Sequence, residues 1–164
     1  MDMLEFAIKM EQDGYAYYIE QSQKLADEAA QRMMISLAED EKRHEQTIRN
    51  MQQGRRQLAQ GQVMPGMKNI FEELKERNRP FLNENDSLTK VLQRALEMEK
   101  KSIEIYAKLG GEAPSSEAAD VWKALEAEEH KHAKILSLAL EYIENPAIVL
   151  EDAEMQFYGH EEAP

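Results

Sequence analysis

The sequence predicts an all-α fold in which four amphipathic helices form two hairpins joined by a long connection. Four segments repeat apolar residues every three or four positions, which is the spacing of one face of a helix. The first two segments adjoin almost without a linker, whereas about 34 residues rich in glycine, proline and asparagine separate the second from the third. With 164 residues, the chain is long enough for one domain with a substantial core.

The first hairpin is bounded by recognisable helix signals. The first helix is expected over about 3–26, and Asp27 is a suitable N-cap for a second helix that runs to about residue 53. Gly54 can end that second helix. Because the turn at Asp27 is so short, the two helices should lie antiparallel.

The second hairpin follows the same logic. Asp86 or Ser87 is expected to cap the third helix, which stops at the glycine pair 110–111. A serine cap and an acidic first turn at 115–117 start the fourth helix. That helix should end before Pro146, since the residue before a proline disfavours the helical conformation.

The connection and the C-terminus complete the predicted architecture. Met67, Ile70, Phe71 and Leu74 have helical spacing, so a short helix is expected within the crossover at about 54–87. We expect residues 1–144 to form the bundle domain. Residues 145–164 are apolar enough to form a C-terminal extension with a short helix, packed on the bundle or on a partner subunit.

A Glu-x-x-His motif occurs twice, as Glu41/His44 and Glu129/His132, and both members recur after 88 residues. The pair Met10-Glu11 recurs at the same offset as Met98-Glu99. Residues three apart share a helix face, so each motif points a carboxylate and an imidazole in the same direction. The fixed offset indicates that the second half of the chain repeats the first.

The hydrophobic pattern places all of these groups at core positions. The four stripes are Leu4, Ile8, Glu11, Tyr15, Tyr18, Ser22, Leu25; Met34, Leu37, Glu41, His44, Ile48, Met51; Leu88, Leu92, Ala95, Glu99, Ser102, Tyr106; and Trp122, Leu125, Glu129, His132, Leu136, Ala139, Ile143. A buried, unpaired carboxylate costs several kcal/mol or becomes protonated. Two divalent cations would balance four glutamates, and a single Glu from each of two helices plus Glu-x-x-His from the other two is a known di-metal ligand pattern.

The composition excludes several classes of protein. A net charge of −12 and a pI near 4.8 argue against binding to nucleic acid or to an anionic membrane surface. The chain has no cysteine, which rules out disulfides, zinc–thiolate sites and iron–sulfur centres within it. Carboxylate and imidazole ligands without thiolate suit iron or manganese. No apolar run reaches membrane-spanning length and the N-terminus lacks a signal-peptide pattern, so we expect a cytoplasmic protein.

The segments EFAIKMEQDGY at 5–15 and LAEDEKRH at 37–44, with their repeats, resemble the rubrerythrin family of the ferritin-like superfamily over about 3–143. The resemblance implies a bundle with a non-haem di-iron centre, often dimeric, that reduces peroxide or dioxygen under oxidative stress. It implies as metal ligands Glu11, Glu41, His44, Glu99, Glu129 and His132. Glu41 and Glu129 would bridge the two metals, with Glu11 and Glu99 terminal, and Tyr18 and Tyr106 would hydrogen-bond near the site.

The chain departs from the family pattern at two points. Typical members append a cysteine-rich, rubredoxin-type domain, whereas this sequence has no cysteine, so its electrons would come from another protein. The family also carries an additional glutamate three residues after the third-helix ligand. Here that position is Ser102, and its counterpart in the first repeat is Gly14.

Three functions therefore remain open: a peroxide or dioxygen reductase, an iron-binding or ferroxidase protein without donor-coupled turnover, and a structural bundle with a vestigial site. Tyr18 and Tyr106 are either supports for the ligand carboxylates or plain core aromatics. His130 and His160 are expected to face solvent. Charged residues near the motifs are assigned to an outer face of the helices, namely Glu39, Asp40, Glu45 and Glu128.

Overall fold

A computed structural model describes residues 2–55, 63–77 and 81–146. The elements are α1 (Met3–Ser22), α2 (Glu28–Gln52), α3 (Val63–Arg77), a single 3-10 turn (Glu84–Asp86), α4 (Ser87–Gly111) and α5 (Ser116–Glu144). α1 packs along α2 and α4 along α5, so the four long helices form two hairpins. The described ranges contain no strand, and the predicted all-α bundle with a long crossover is confirmed.

The two hairpins begin their second helices in the same way. Asp27 Oδ1 accepts a hydrogen bond from the Ala30 N–H at 3.0 Å, and Ser115 Oγ accepts one from the Ala118 N–H at 3.2 Å. Both caps were predicted, and they are separated by the same 88 residues as the Glu-x-x-His motifs. Each cap stabilises its helix by about 1 kcal/mol. The internal repeat therefore extends to the helix boundaries.

One predicted helix end was wrong, and one predicted cap lacks its side-chain hydrogen bond. α1 ends at Ser22 rather than near residue 26, because the Lys24 and Leu25 N–H groups turn back to the Gln21 carbonyl and Asp27 adopts the extended conformation of a cap. α4 starts where predicted, with Asp86 as its N-cap residue, but the Asp86 side chain does not accept a hydrogen bond from the first turn. The side chain of Asn83 does so instead, accepting from the Thr89 N–H at 3.2 Å.

The crossover contains the predicted short helix, now seen as α3. Its four predicted core residues are buried in the main apolar cluster of the bundle. Phe71 and Phe81 both meet the Tyr142 ring edge-on, with ring centroids 6.1 and 5.5 Å apart. Asp27 ties the end of the crossover to α2, because its Oδ2 accepts from the Leu82 N–H at 2.9 Å. The predicted C-terminal extension, with His160, lies outside the described residues apart from its first two residues.

Two apolar clusters fill the bundle and leave a polar layer between them. One includes Tyr18, Leu37 and Leu136, and the other includes Ile8, Ile48 and Leu125. Along each long helix, the motif residues lie between members of the two clusters. None of the helices in the described ranges is both long and apolar enough to cross a membrane. The polar layer is therefore the distinctive feature of this core.

Candidate metal centre

The polar layer consists of the six residues that the sequence singled out. α1 and α4 each contribute one glutamate, while α2 and α5 each contribute a glutamate and a histidine one helical turn apart. All six are buried, namely Glu11, Glu41, His44, Glu99, Glu129 and His132. Four helices thus bring four carboxylates and two imidazoles into one enclosed space.

The ligand atoms form two overlapping groups. One consists of Glu11, Glu41, His44 and Glu129, and the other of Glu41, Glu99, Glu129 and His132. Within each group, one ligand atom from every residue lies within 4.8 Å of the others. Glu41 and Glu129 belong to both groups, whereas each histidine belongs to one. This is the arrangement expected for two adjacent cations that share two carboxylates.

Both imidazoles turn the same ring nitrogen toward the carboxylates. His44 Nδ1 lies 2.9 Å from Glu129 Oε1 and 3.4 Å from Glu11 Oε2. His132 Nδ1 lies 3.2 Å from Glu129 Oε2 and 3.4 Å from Glu41 Oε1. The two rings stack with centroids 5.4 Å apart. Glu129 therefore lies between the imidazoles, with one oxygen directed at each.

Although several of these atoms lie within 3.5 Å of one another, many of them form no hydrogen bond of acceptable geometry with any described residue. They are Glu11 Oε2, Glu41 Oε1, both nitrogens of His44, both carboxylate oxygens of Glu129, and His132 Nδ1. Buried polar atoms are almost always satisfied, so a cluster of orphaned acceptors requires a ligand. Divalent cations fit this set, because they accept oxygen and imidazole donors and neutralise the carboxylate charge.

The electrostatics of the carboxylates show how strongly the layer requires positive charge. Burial and the nearby charge of Glu41 raise the pKa of Glu11 well above its usual range. Burial and the charge of Glu129 raise the pKa of Glu99 in the same way. Without a cation, these two side chains are driven to keep a proton.

The histidines carry the balancing charge. Burial alone would lower the pKa of His44, but the charges of Glu129 and Glu11 outweigh it and raise that pKa well above its usual range. The pKa of His132 is also raised, by neighbouring carboxylates that include Glu129, against the effect of burial. Burial would raise the pKa of Glu129, yet the imidazoles and Glu99 hold it well below its usual range. In the metal-free protein, these raised pKa values favour protons in the layer, where divalent cations would otherwise compensate the carboxylate charge.

The two tyrosines cross between the repeats. The Tyr18 hydroxyl on α1 donates to Glu99 Oε1 on α4, and the Tyr106 hydroxyl on α4 donates to Glu11 Oε1 on α1. Burial and the charge of Glu99 raise the pKa of Tyr18 well above its usual range, so its hydroxyl stays protonated and remains a donor. Each tyrosine thus holds the single glutamate of the opposite repeat. These hydrogen bonds favour the predicted role of Tyr18 and Tyr106 as supports for the ligand carboxylates over a role as plain core aromatics.

Asp40 was predicted to lie on the charged outer face, and this prediction was wrong. Its side chain is fully buried, forms an ion pair with Arg43, and has Oδ2 3.3 Å from His132 Nε2. The signal was present in the sequence, because Asp40 lies three residues after Leu37 and four before His44, on the buried face of α2. By contrast, His130 is exposed, as predicted.

Replacing Asp40 with alanine should lower the affinity for one metal ion about 10- to 100-fold, because the acceptor that orients His132 is lost. Metal titration of the chelator-treated protein measures this. Glu128→Ala is the matched control, since Glu128 is the repeat counterpart of Asp40 but pairs with Lys131 near the surface. Asp40→Asn, which keeps an acceptor, should restore part of the affinity. Equal affinities in all three variants would contradict the positioning role.

Gly14, the first-repeat counterpart of Ser102, lies directly beside a carboxylate of the layer. A Cβ at Gly14 would lie only 2.5 Å from Glu41 Oε2 and 3.3 Å from its Cδ. Tyr15, which was predicted on the core stripe, is instead 37% exposed, because Gly14 occupies the layer next to Glu11. The absence of a side chain at this position therefore makes room for the Glu41 carboxylate.

Gly14→Ala should lower metal affinity at least about tenfold, because the new methyl group displaces a carboxylate shared by both ligand groups. The free energy of unfolding of the metal-free protein should change by less than about 1 kcal/mol. Alanine is favoured over glycine in a helix by about this amount, which offsets the cost of the close contact with Glu41. Gly110→Ala is the control, because its Cβ would make an ordinary 3.5 Å contact with Trp122. Unchanged metal affinity in Gly14→Ala, measured by titration, would refute this explanation.

A comparison with known protein families agrees with this geometry. The family model described as Rubrerythrin matches residues 2–140, which include all six residues of the polar layer. No curated protein and no solved structure gives a significant match to the chain. The match covers the greater part of the chain, including both repeats.

Proposed function

The chain belongs to the rubrerythrin family, and from this premise we propose that it is a di-iron carboxylate protein that reduces peroxide or dioxygen with electrons from an external donor protein. The observation that supports this most directly is the cluster of orphaned ligand atoms in two groups that share Glu41 and Glu129. Manganese, or a mixed pair of metals, would satisfy the same ligands.

In the proposed centre, Glu41 and Glu129 would be shared by the two ions, because both belong to each ligand group. Glu11 and His44 would complete one ligand set, and Glu99 and His132 would complete the other. The charge is balanced, since four carboxylates meet two divalent ions. The internal repeat supports this assignment. The residues of one ligand set lie 88 positions from residues of the same type in the other set.

The chemistry that such a metal pair would supply when bound is one electron from each ion to the oxidant and stabilisation of the charge that develops on its oxygen. The surrounding residues prepare the site for this reaction. Tyr18 and Tyr106 hold the terminal carboxylates by hydrogen bonds, and Asp40 holds the ring of His132. The apolar clusters above and below the layer lower the local dielectric constant, which strengthens the electrostatic interactions within it.

An iron-binding or ferroxidase function is the second candidate, and Ser102 favours it. Ser102 is buried, with its Oγ 3.6 Å from Met10 Sδ, where the family has an additional glutamate. Without that carboxylate, this chain lacks the extra ligand that the family exchanges during redox turnover. Oxidation of Fe(II) in single turnovers would need only the six ligands already described.

Steady-state and single-turnover measurements on iron-loaded protein distinguish these functions. Hydrogen peroxide is supplied under anaerobic conditions, with a small reduced iron–sulfur protein and its reductase as the electron donor. Sustained peroxide consumption that depends on the donor is expected. Rapid Fe(II) oxidation without sustained turnover would establish the ferroxidase alternative, and a purified chain without stoichiometric metal would leave only the vestigial bundle.

The remaining expectations concern the surroundings of the protein. We propose a cytoplasmic homodimer, because related chains are often dimeric and because residues 147–164 contain several apolar side chains. The strongly acidic chain gives no reason to expect nucleic acid as a partner.

A further inference from the structure

A groove between α1 and α4 leads from the surface to the candidate metal centre. Its volume is about 360 Å³, and its inner end is lined by Tyr18, Glu41 and Glu99. The residues at the inner end therefore include a shared carboxylate, a terminal carboxylate and the tyrosine that holds the latter.

Two small residues keep the groove open beside the centre. Gly14 and Ser102 both line it, three residues after Glu11 and Glu99 respectively. A larger side chain at either position would project into the space in front of the carboxylates. Ser102, which stands where the family has an additional glutamate, and its repeat counterpart Gly14 thus leave this opening beside the centre.

Most of the exposed wall of the groove is apolar and comes from Phe6, Met10, Met98 and Ile105, of which Phe6 is 42% exposed. Charged residues also line the groove, namely Lys9, Asp13, Arg94 and Lys101. A water molecule takes up about 30 Å³ of the liquid, so the groove is far larger than dioxygen or hydrogen peroxide requires. Its volume falls in the range of about 300–1,000 Å³ that is typical of sites for small organic ligands.

We propose that this groove binds the apolar substituent of an organic hydroperoxide and directs its peroxide group at the metal centre beside Glu41 and Glu99. This inference rests on the proposed peroxide-reducing function. In the reaction, the O–O bond of ROOH breaks, and two electrons from the donor protein and two protons from solvent give ROH and water. An apolar substituent gains burial in this groove that hydrogen peroxide cannot obtain.

Binding is tested without metal or turnover. 2-Phenylpropan-2-ol, the alcohol formed from cumene hydroperoxide, is titrated into the metal-free protein while amide shifts are followed by NMR. Saturable shifts should be confined to residues on both sides of the groove, such as Met10 and Met98. Shifts elsewhere only, or none, would overturn the inference.

Two variants test the groove from its inner end and its mouth. Ser102→Leu should fill it, and Phe6→Ala should remove apolar wall from an exposed position that the fold tolerates. Each should weaken alcohol binding. Each should also lower the ratio of kcat/KM for cumene hydroperoxide to kcat/KM for hydrogen peroxide, in Ser102→Leu by about tenfold, the effect of one misfitting group in an apolar pocket.

The matched control is Ala118→Leu, which alters a separate apolar cavity of about 320 Å³ at one end of the bundle. It should change neither the alcohol binding nor the ratio. A protein that reduces hydrogen peroxide but shows no groove-dependent use of cumene hydroperoxide would refute the inference and leave the proposed function intact. Iron-loaded protein that reduces neither peroxide with the donor would refute both.

Discussion

Replacing Glu129 with alanine should abolish stoichiometric binding of both metal ions. Glu129 belongs to both ligand groups, and its two oxygens are directed at His44 Nδ1 and His132 Nδ1. One substitution therefore removes a ligand from each ion and a negative charge from the space between them. Glu41→Ala should have the same effect, because Glu41 is the other shared carboxylate. Elemental analysis of protein reconstituted with Fe(II) or Mn(II) gives the occupancy.

The helical content of both variants should change little, because packing of the two apolar clusters and the helix caps remains. Far-ultraviolet circular dichroism measures it. Glu126→Ala is the matched control, since Glu126 lies one turn before Glu129 on α5 but is paired with His130 near the surface. It should retain two metal ions. Two-metal occupancy in either Glu129→Ala or Glu41→Ala would count decisively against the shared-ligand assignment.

The second large effect is a dependence on pH. The free energy of unfolding of the metal-free protein should fall as pH rises, whereas the apparent affinity for metal should rise. The pKa values of Glu11 and Glu99 are raised by burial and neighbouring carboxylate charge, and those of His44 and His132 are raised by the carboxylates around them. The folded metal-free protein thus holds more protons than the unfolded chain above about pH 4.5. Its free energy of unfolding should therefore fall as pH rises through these raised values.

The lowered pKa of Glu129 acts in a different range. Its contribution is present above the ordinary carboxyl pKa and is lost only as pH falls through the lowered value. Through Glu129, acid therefore destabilises the metal-free protein only at pH values below the ordinary carboxyl range. Maximum stability is expected on the mildly acidic side of neutrality.

Metal binding should show the opposite dependence, because cations displace the protons from this layer. The apparent affinity should rise by at least about tenfold per pH unit, which corresponds to one released proton per metal ion. Urea unfolding of chelator-treated protein at several pH values measures the first effect. Calorimetric titration in buffers of different ionisation enthalpy counts the released protons. Metal-free stability that rises from pH 6 to 8, or binding without proton release, would contradict this description.

The six polar residues of the layer could be located from the sequence because the helix is periodic. A carboxylate on a core stripe must be neutralised, and two copies at one offset make coincidence improbable. The same periodicity failed for Tyr15 and Asp40. Steps of three and four residues are both compatible with a period of 3.6, so adjacent positions such as Gly14 and Tyr15 compete for the buried face.

The approximate position of each long helix, the caps Asp27 and Ser115, the six polar residues of the layer and their need for positive charge all follow from the order of the amino acids. These features are local, because each depends on residues within a few turns of one another. The sharing of Glu41 and Glu129, the crossing of Tyr18 and Tyr106 between repeats, the contact of Asp40 with His132 and the groove beside Gly14 and Ser102 arise only in the packed bundle. They depend on how far each helix is rotated and shifted against its neighbours, which the packing of whole side-chain surfaces decides.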